Sequence, residues 1–214
     1  MMLLDILKYG DPVLRQKGER VEKITPEIKQ LVDDMIETVH EAHGIGLAAQ
    51  QVGRPLQLAA VDVNGVEDRP SRMSIDGEPV NPEDYMPLIL LNPEWTAVGD
   101  AKEEGGEGCL SFPDYFDKVV RAERVRAVAI GLDEEPFEVE GTGIMARALL
   151  HETDHLNGIL FIDRMRKFRL RLAQGRLRKL KRSTQQALKE GYSQDYNKMI
   201  RDYFQSLQEK MDAE

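Results

Sequence analysis

The chain has 214 residues, is 41% hydrophobic and carries a formal net charge of −9, which allows one domain with a sizeable core and appendages. Its longest apolar run, from Met86 to Leu91, is about six residues and far too short to span a membrane. Met1–Asp5 becomes acidic too early for a secretory signal, and the single cysteine, Cys109, cannot form an internal disulfide. We therefore expect a cytoplasmic protein and exclude a membrane-spanning or disulfide-stabilised one.

Charge is distributed unevenly along the chain. Segment 164–182 contains ten Lys or Arg residues and no acid, so it carries +10 and the remaining residues sum to −19. A basic segment on an acidic body suggests an anionic partner, but basic runs are also common on solvated helix faces. Both interpretations stay open at this point.

The first predicted element is a helix that Thr25 caps and Pro26 opens. Apolar residues recur along it at helical spacing, namely Ile28, Leu31, Val32, Met35, Val39 and Ala42. Residues 64–85 are polar and rich in Pro, Asp and Glu, which predicts a long loop or insertion. Strand patterns are predicted at 56–63, 88–92, 94–98, 119–120, 125–132 and 137–139.

A second helix is predicted to include residues 151–155, and a basic helical stretch is predicted beyond Arg164. The order of helix, strands and helix predicts an α+β fold, with antiparallel or mixed β-sheets packed around the central helix. We expect a catalytic domain at residues 1–165 and a basic C-terminal helix with a polar tail at 166–214. Within that tail, residues 183–214 are expected to be helical or partly disordered.

The predicted central helix carries the sequence His-Glu-Thr-Asp-His at 151–155. Residues four apart lie on one face of a helix, so His151 and His155 can offer two imidazoles to one metal ion. Glu152 can then reach a water on that metal without being a ligand itself. The alternatives are a chance occurrence of a short motif and a buried helix that binds no metal.

Two glycine-rich passages precede this helix. Residues 44–49 formally match the G-x-G-x-x-A pattern of dinucleotide-binding folds, but that reading requires a strand before the glycines and a helix after them. Here a helix precedes and a strand follows, so we reject it. The glycines either let the backbone approach another part of the chain closely or form a packing turn.

The second glycine-rich passage, residues 103–113, places the only thiol. A lone cysteine in a chain with paired histidines is a candidate metal ligand or nucleophile, and Cys109 is therefore the candidate third ligand. Two imidazoles and a thiolate would leave a fourth tetrahedral position for water, as in catalytic sites. His40 and His43 are weaker candidates, because polar residues are common at helix ends.

Three motifs resemble, in the same order, the signature motifs of the peptide deformylase family. They are Gly44–Gln51 (GIGLAAQQ), Glu107–Ser111 (EGCLS) and His151–Gly158 (HETDHLNG). Asp11–Arg15 also resembles the family's N-terminal passage, and the likeness extends over about residues 3–175. Three separate motifs at compatible spacing are far more specific than the His-Glu-x-x-His motif alone.

The resemblance implies a hydrolase that removes the formyl group from the N-terminal formyl-methionine of nascent polypeptides and releases formate. It implies that Cys109, His151 and His155 hold the metal, whose bound water attacks the formyl carbonyl. Glu152 would act as general acid and base. The side-chain amide of Gln51 and the backbone N–H of Leu110 would stabilise the oxyanion.

For substrate binding, the resemblance implies that the backbone of Ile45 and Gly46 pairs with the extended peptide. The methionine side chain would enter an apolar pocket near Ile45, Ile144 and Ala148. Glu107, the first residue of the second motif, is also expected in the substrate-binding region.

The family implies one Fe²⁺ ion per chain, with Zn²⁺, Ni²⁺ or Co²⁺ able to substitute, although the ligand types alone suggest zinc. Its C-terminal helix implies docking on the ribosome through basic residues 164–182, where contacts to RNA phosphate would be salt-dependent. We expect a monomer without a membrane partner.

Two residues depart from the family pattern. Leu150 stands where relatives commonly have Gln just before His151, so a hydrogen bond behind that ligand is in doubt. His43 occupies a position that is often acidic, which puts a family salt bridge to the arginine near Arg121 in doubt.

Two other functions compete with this interpretation. A zinc metalloprotease usually takes its third ligand downstream of His-Glu-x-x-His, whereas the candidate here, Cys109, lies upstream. A metal-stabilised module that binds RNA through residues 164–182 would require four protein ligands, and the sequence offers three.

Overall fold

Four α-helices and nine strands build the fold in the part of the chain that the computed structural model describes, residues 2–66 and 71–192. The helices are α1 Pro26–Glu41, α2 Gly143–Leu156, α3 Phe161–Arg164 and α4 Lys167–Ala187. The strands are β1 Gly46–Ala48, β2 Leu58–Val61, β3 Met73–Ile75, β4 Glu78–Val80, β5 Leu88–Ala97, β6 Lys102–Gly108, β7 Phe116–Ala122, β8 Arg124–Ile130 and β9 Pro136–Thr142. Short 3-10 helices lie at Pro12–Arg15, Ala49–Val52 and Pro82–Tyr85, and a π-helical turn at Leu188–Tyr192.

Seven of the strands form one antiparallel sheet in the order β1-β2-β5-β8-β9-β3-β4. The remaining two, β6 and β7, pair with each other as a separate antiparallel ribbon. Helix α2 packs against β1, β2, β8 and β9 of the large sheet. The predicted α+β fold with sheets around a central helix is therefore confirmed, and the sheets are antiparallel.

Helix α1 forms where its sequence predicts. The Thr25 side chain accepts a hydrogen bond from the Ile28 backbone N–H at 3.4 Å, and Pro26 opens the helix, where a missing N–H costs nothing. The apolar stripe faces inward through Ile28, Val32, Met35 and Val39.

Helix α2 is the central element, because every residue from Ile144 to Leu156 is buried. The Ser71 hydroxyl accepts a hydrogen bond from the Met145 N–H at 3.0 Å, so a segment from elsewhere in the chain caps its first turn. Beyond its end, Gly158 has a φ of 69°, the left-handed conformation in which many helices end. A helix buried on all sides is unusual when it also carries charged residues.

The structure differs from the elements predicted from the sequence in three places. Residues 64–85 are more than a loop, because β3 and β4 form a hairpin that extends the sheet by pairing with β9. Strand β5 is one continuous strand rather than two, with its register shifted between Leu91 and Glu94. The glycine-rich passage around Cys109 begins as a strand, β6, since pairing with β7 outweighs the low β-propensity of glycine.

Helix α4 packs on the body of the protein. Its Ala173 and Leu177 belong to the same buried cluster as Leu14 and Phe161. The predicted tail at 183–214 is helical as far as Ala187, and residues 193–214 lie outside the described part of the chain. Among the described residues, no helix is both long and apolar enough to cross a membrane.

Candidate active site and metal centre

Cys109, His151 and His155 come together although 42 residues separate the cysteine from the first histidine. One potential ligand atom from each of the three lies within 4.8 Å of the other two. The Cys109 Sγ atom is 3.2 Å from His155 Nε2. The two histidines are one turn apart on α2, and the cysteine follows directly after β6. The three candidate ligands of the sequence analysis therefore lie together in the structure.

This donor set fits a divalent transition metal. One thiol and two imidazoles match the preference of such ions for soft sulfur and nitrogen ligands, and three ligands leave a position for substrate or water. Both histidines are buried, with 8% and 1% exposure for His151 and His155. In the part of the chain that is described, these three residues are the group of His, Cys, Asp or Glu positioned to hold a metal.

Glu152 lies beside the ligand cluster and is only 3% exposed. Its Oε2 atom is buried without a hydrogen-bond partner among the described residues. Burial raises the pKa of Glu152 to about 7, so a proton can join or leave this carboxylate near neutral pH. A bound cation would act in the opposite direction and favour the charged form.

Gly46 explains why Glu152 fits in this position. A Cβ atom on Gly46 would lie 2.4 Å from Glu152 Oε1, closer than non-bonded atoms approach. The glycine therefore lets the backbone of β1 approach the carboxylate closely, which was one of the two roles considered for the first glycine-rich passage. Gly46 of the first motif and Glu152 of the third motif are therefore in direct contact, and this contact requires a residue without a side chain at position 46.

Gln51 is held so that its amide nitrogen faces Cys109 and Ser111. Its Oε1 atom accepts a hydrogen bond from the Ala48 N–H at 2.8 Å. Its Nε2 atom is 3.3 Å from Ser111 Oγ and 3.4 Å from Cys109 Sγ. The donor end of the amide is therefore turned towards the ligand cluster, as an oxyanion donor requires.

Leu110, the other predicted oxyanion donor, is fixed through its own carbonyl. That carbonyl accepts a hydrogen bond from Lys8 Nζ at 2.9 Å. Burial lowers the pKa of Lys8, while the nearby Cys109 sulfur acts in the opposite direction. The sequence analysis missed Lys8, because nothing in its local pattern links it to a motif 100 residues away.

Glu107 holds His151 in place. Its Oε2 atom lies 3.1 Å from His151 Nδ1, and both carboxylate oxygens accept hydrogen bonds from Arg121 at 2.8 and 2.9 Å. Arg147 Nη1 donates to Glu107 Oε1 at 2.8 Å. Burial opposes the charge of Glu107, but the hydrogen bonds from Arg121 and His151 hold its pKa well below the ordinary value.

The two histidine ligands have opposite electrostatic environments. Burial disfavours a charged His151, but its contacts with Cys109 and Glu107 outweigh this and raise its pKa. Burial and the neighbouring His151 charge lower the pKa of His155 and so favour its neutral ring. A divalent metal held by these residues would favour their deprotonated forms, a neutral His151 and the Cys109 thiolate.

A second cluster of ion pairs forms around Asp154 of α2. Arg121 also donates to Asp154, and Arg164 Nη2 donates to the other oxygen of Asp154 at 2.6 Å. The acidic partners of Arg121 are therefore Glu107 and Asp154. His43 lines the mouth of the central cavity, and His40 Nε2 lies 2.7 Å from Asp62 Oδ2.

Leu150 has no polar role. Its side chain is 3% exposed and packs with Val125 and Ala146. An apolar residue therefore fills the place where relatives commonly have Gln, and the hydrogen bond that was in doubt is absent at this position. The ligand His151 is oriented from its other side by Glu107.

The site opens into a cavity of about 720 Å³. All but one of the residues predicted for the site line this cavity, and they are Ile45, Gly46, Gln51, Glu107, Cys109, Leu110, Ile144, Ala148, His151 and Glu152. The exception, His155, lies behind them in the ligand cluster. Arg147, which also lines the cavity, was missed because its partner Glu107 is 40 residues away and no local pattern joins them.

Comparisons with known proteins agree with this geometry. A model of the polypeptide deformylase family matches residues 3–171. The chain is 42% identical over 183 residues to a peptide deformylase of Acidobacterium capsulatum, covering 86% of this chain and 98% of that one. It is 41% identical over 181 residues to a peptide deformylase of Methylacidiphilum infernorum, covering 85% and 94%.

Solved structures give the same result. A crystal structure of a peptide deformylase from Legionella pneumophila has a TM-score of 0.68 and 35% identity, and covers 85% of this chain and 96% of that one. The peptide deformylase of Ehrlichia chaffeensis, solved in complex with actinonin, has a TM-score of 0.70 and 33% identity, with 84% and 98% covered.

Fold and site together define a metal-dependent hydrolase with a Cys-His-His ligand group and a buried glutamate on one helix. The chain belongs to the peptide deformylase family. It is accordingly an enzyme that removes the formyl group from the N-terminus of newly synthesised polypeptides.

The Gly46→Ala variant tests the contact between β1 and Glu152. The added Cβ must displace the carboxylate, and we expect kcat/KM for a formylated peptide to fall about 10²-fold, the typical cost of a misplacement of about 1 Å. Gly175→Ala is the matched control, because its Cβ has no neighbour within 4 Å and it lies inside α4. The control should keep full activity and gain up to about 1 kcal/mol in the free energy of unfolding. Full activity of Gly46→Ala would contradict the placement of Glu152.

Proposed function

We propose that Cys109, His151 and His155 hold one divalent metal ion per chain and that Glu152 is the proton carrier of the reaction. When bound, the ion supplies Lewis acidity and lowers the pKa of a water from about 15.7 towards 7. Glu152 takes the proton from the attacking water and delivers it to the nitrogen of the leaving amine. The observation that carries this assignment is the buried, unpartnered oxygen of Glu152 beside the three potential ligands.

Two donors are available for the oxyanion that develops on the formyl group. The Gln51 amide, held by Ala48, faces the Cys109 sulfur, and the Leu110 backbone N–H belongs to the residue that directly follows Cys109. Preorganised donors of this kind are worth about 3–4 kcal/mol each in the transition state. Their positions are fixed before substrate binds, so little reorganisation is required.

The substrate is proposed to bind along β1. This strand is the terminal strand of the seven-stranded sheet, so within residues 2–66 and 71–192 no strand pairs with its outer edge, which can accept an extended peptide at Ile45 and Gly46. Ile45, Ile144 and Ala148 belong to one apolar cluster and line the cavity, which suits the methionine side chain of formyl-methionine. Glu107 is better suited to orient His151 than to contact substrate, because basic groups surround its carboxylate.

The Glu152→Gln variant tests the proton-transfer role. Glutamine has the same shape but cannot accept the proton, so we expect kcat for formate release to fall about 10²- to 10⁴-fold. Metal content should stay at the wild-type level, because Glu152 is not a ligand. Formate release and metal analysis on the same preparation provide the measurement, with Glu94→Gln, at an exposed position of β5, as control. Wild-type turnover, or metal lost in proportion to activity, would disprove the role.

The resident ion is proposed to be Fe²⁺, with Zn²⁺, Ni²⁺ or Co²⁺ able to replace it. The support is the resemblance to the family, since a thiolate with two imidazoles also suits zinc. A ferrous ion bound to a thiolate reacts with oxygen, so protein purified without air should contain iron and lose activity on exposure to air. Zinc-substituted protein should be unchanged by air. Full activity after long aerobic purification without added metal would argue against iron.

A second proposal concerns the partners and the division of the chain. Residues 1–165 carry the catalytic centre, and 166–214 provide a basic surface for docking on the ribosome; the part beyond 192 lies outside the described residues. The support is the charge of α4, where Arg171, Lys179 and Arg182 are exposed. A cytoplasmic monomer fits this role.

Ribosome co-sedimentation tests the docking proposal. We expect weaker ribosome binding at low salt from the triple variant Arg171→Gln/Lys179→Gln/Arg182→Gln. Each lost phosphate contact should lower by about one the slope of the logarithm of the binding constant against the logarithm of the salt concentration. The control, Lys17→Gln/Arg20→Gln/Lys29→Gln, removes the same charge from another surface. Equal binding by both triple variants would rule out docking through α4. Substitution is preferable to deletion, because Leu177 of α4 is part of the core.

A further inference from the structure

Residues 112–117, here called the rim loop, run from the turn after Cys109 into the first two residues of β7 and form one wall of the central cavity. Phe112, Pro113, Asp114 and Phe116 all line it. The Phe116 side chain is 76% exposed, although its ring lies directly over Gly108, where a Cβ would be 2.2 Å away. A large exposed aromatic ring at a cavity mouth offers apolar surface to a bound chain.

Helix α4 contacts the rim loop at its far end through Arg169. The guanidinium of Arg169 forms an ion pair with Asp117. Asp117 also accepts a hydrogen bond from the Tyr115 hydroxyl at 2.8 Å. Burial opposes its charge, but hydrogen bonds that include those from Tyr115 and Arg169 lower the pKa of Asp117, so it stays ionised. The contact between Arg169 and Asp117 is therefore a hydrogen-bonded pair of opposite charges.

Arg176, two turns further along α4, contacts the middle of the loop. It donates a hydrogen bond to the Asp114 carbonyl, and its guanidinium carbon lies 5.4 Å from the centre of the Tyr115 ring. Tyr115 itself is 7% exposed and its hydroxyl is 3.8 Å from the sulfur of Met165. The two arginines thus hold both sides of Tyr115, and the loop between them is pinned to α4.

The metal ligand and the oxyanion donors are fixed by other contacts. The Ser111 carbonyl accepts a hydrogen bond from the Tyr9 N–H at 2.8 Å, and Gln51 donates to the Ser111 hydroxyl at 3.3 Å. Lys8 holds the Leu110 carbonyl. Among the described residues, the polar contacts of Arg169 and Arg176 therefore reach only Asp114, Tyr115 and Asp117, whereas the hydrogen bonds that hold Leu110 and Ser111 come from other parts of the chain. Truncating the two arginine side chains removes the first set of contacts and leaves the second in place.

We propose that α4 positions the rim loop as the wall against which the peptide beyond its formyl-methionine binds, with Arg169 and Arg176 as the positioning residues. The ligand class is an extended peptide with an apolar side chain that packs on Phe116. This inference rests on the proposed binding of peptide along β1. It links the basic helix to substrate affinity as well as to docking.

A comparison of short and long substrates tests the inference. We expect Arg169→Ala/Arg176→Ala to raise KM for formyl-Met-Ala-Phe amide about fivefold, the effect of losing one or two weak surface anchors, with kcat unchanged. KM for formyl-methionine amide, which does not reach the rim loop, should not change. Arg169→Lys/Arg176→Lys keeps the charge and one donor at each position, and should restore KM to within about twofold of wild type.

Arg171→Ala/Arg178→Ala is the matched control, because it removes two positive charges from exposed positions of the same helix. An unchanged KM in this control together with the shift in the first variant supports the inference. An unchanged KM for the longer peptide in Arg169→Ala/Arg176→Ala overturns it, as does an equal rise in the control or on formyl-methionine amide. Failure of wild-type protein to turn over either substrate would instead contradict the proposed function itself.

Discussion

Burying charge on one helix is the constraint around which this protein is built. Five ionisable side chains of α2 are at most 8% exposed, and they are Arg147, His151, Glu152, Asp154 and His155. A buried charge is costly unless it is paired, so partners must come from other elements. Arg121 and Glu107, from the two-stranded ribbon, supply most of them. Within the described residues, α2 is left with unpartnered buried polar side-chain atoms only on Glu152 and His155, at the ligand cluster.

Close backbone approach is the second means by which the chain forms this site. Gly46 lets the edge strand β1 reach the Glu152 carboxylate, and Gly108 lets the Phe116 ring lie over the strand that leads to Cys109. The glycines of the first two motifs therefore act by leaving space for particular side chains. The charged residues, by contrast, act by supplying the partners that burial requires. Together they place a sulfur, two imidazoles and a carboxylate around one point of the cavity.

The sequence was sufficient for the ligand group, the central helix and the fold class, because each depends on a local pattern such as the i, i+4 spacing of His151 and His155. It was insufficient where distant pairing decides the structure. Strand β6 contains glycines that disfavour a strand locally, and its pairing with β7 prevails. The pairing of Arg147 with Glu107 could not be predicted either, because the two residues are 40 positions apart. The ion pair between Arg169 of α4 and Asp117 of the rim loop was missed for the same reason. An apolar residue type does not by itself predict burial either, since Phe168 and Leu172 are 69% and 73% exposed.

The central claim is that Cys109, His151 and His155 bind one ion beside Glu152. Anomalous diffraction from crystals of zinc-loaded protein tests it most directly, because it locates the ion without reference to activity. The account predicts one strong peak about 2.3 Å from the Cys109 sulfur and about 2.0–2.1 Å from a ring nitrogen of each histidine. A peak elsewhere, or one with the Cys109 sulfur beyond bonding distance, would contradict it.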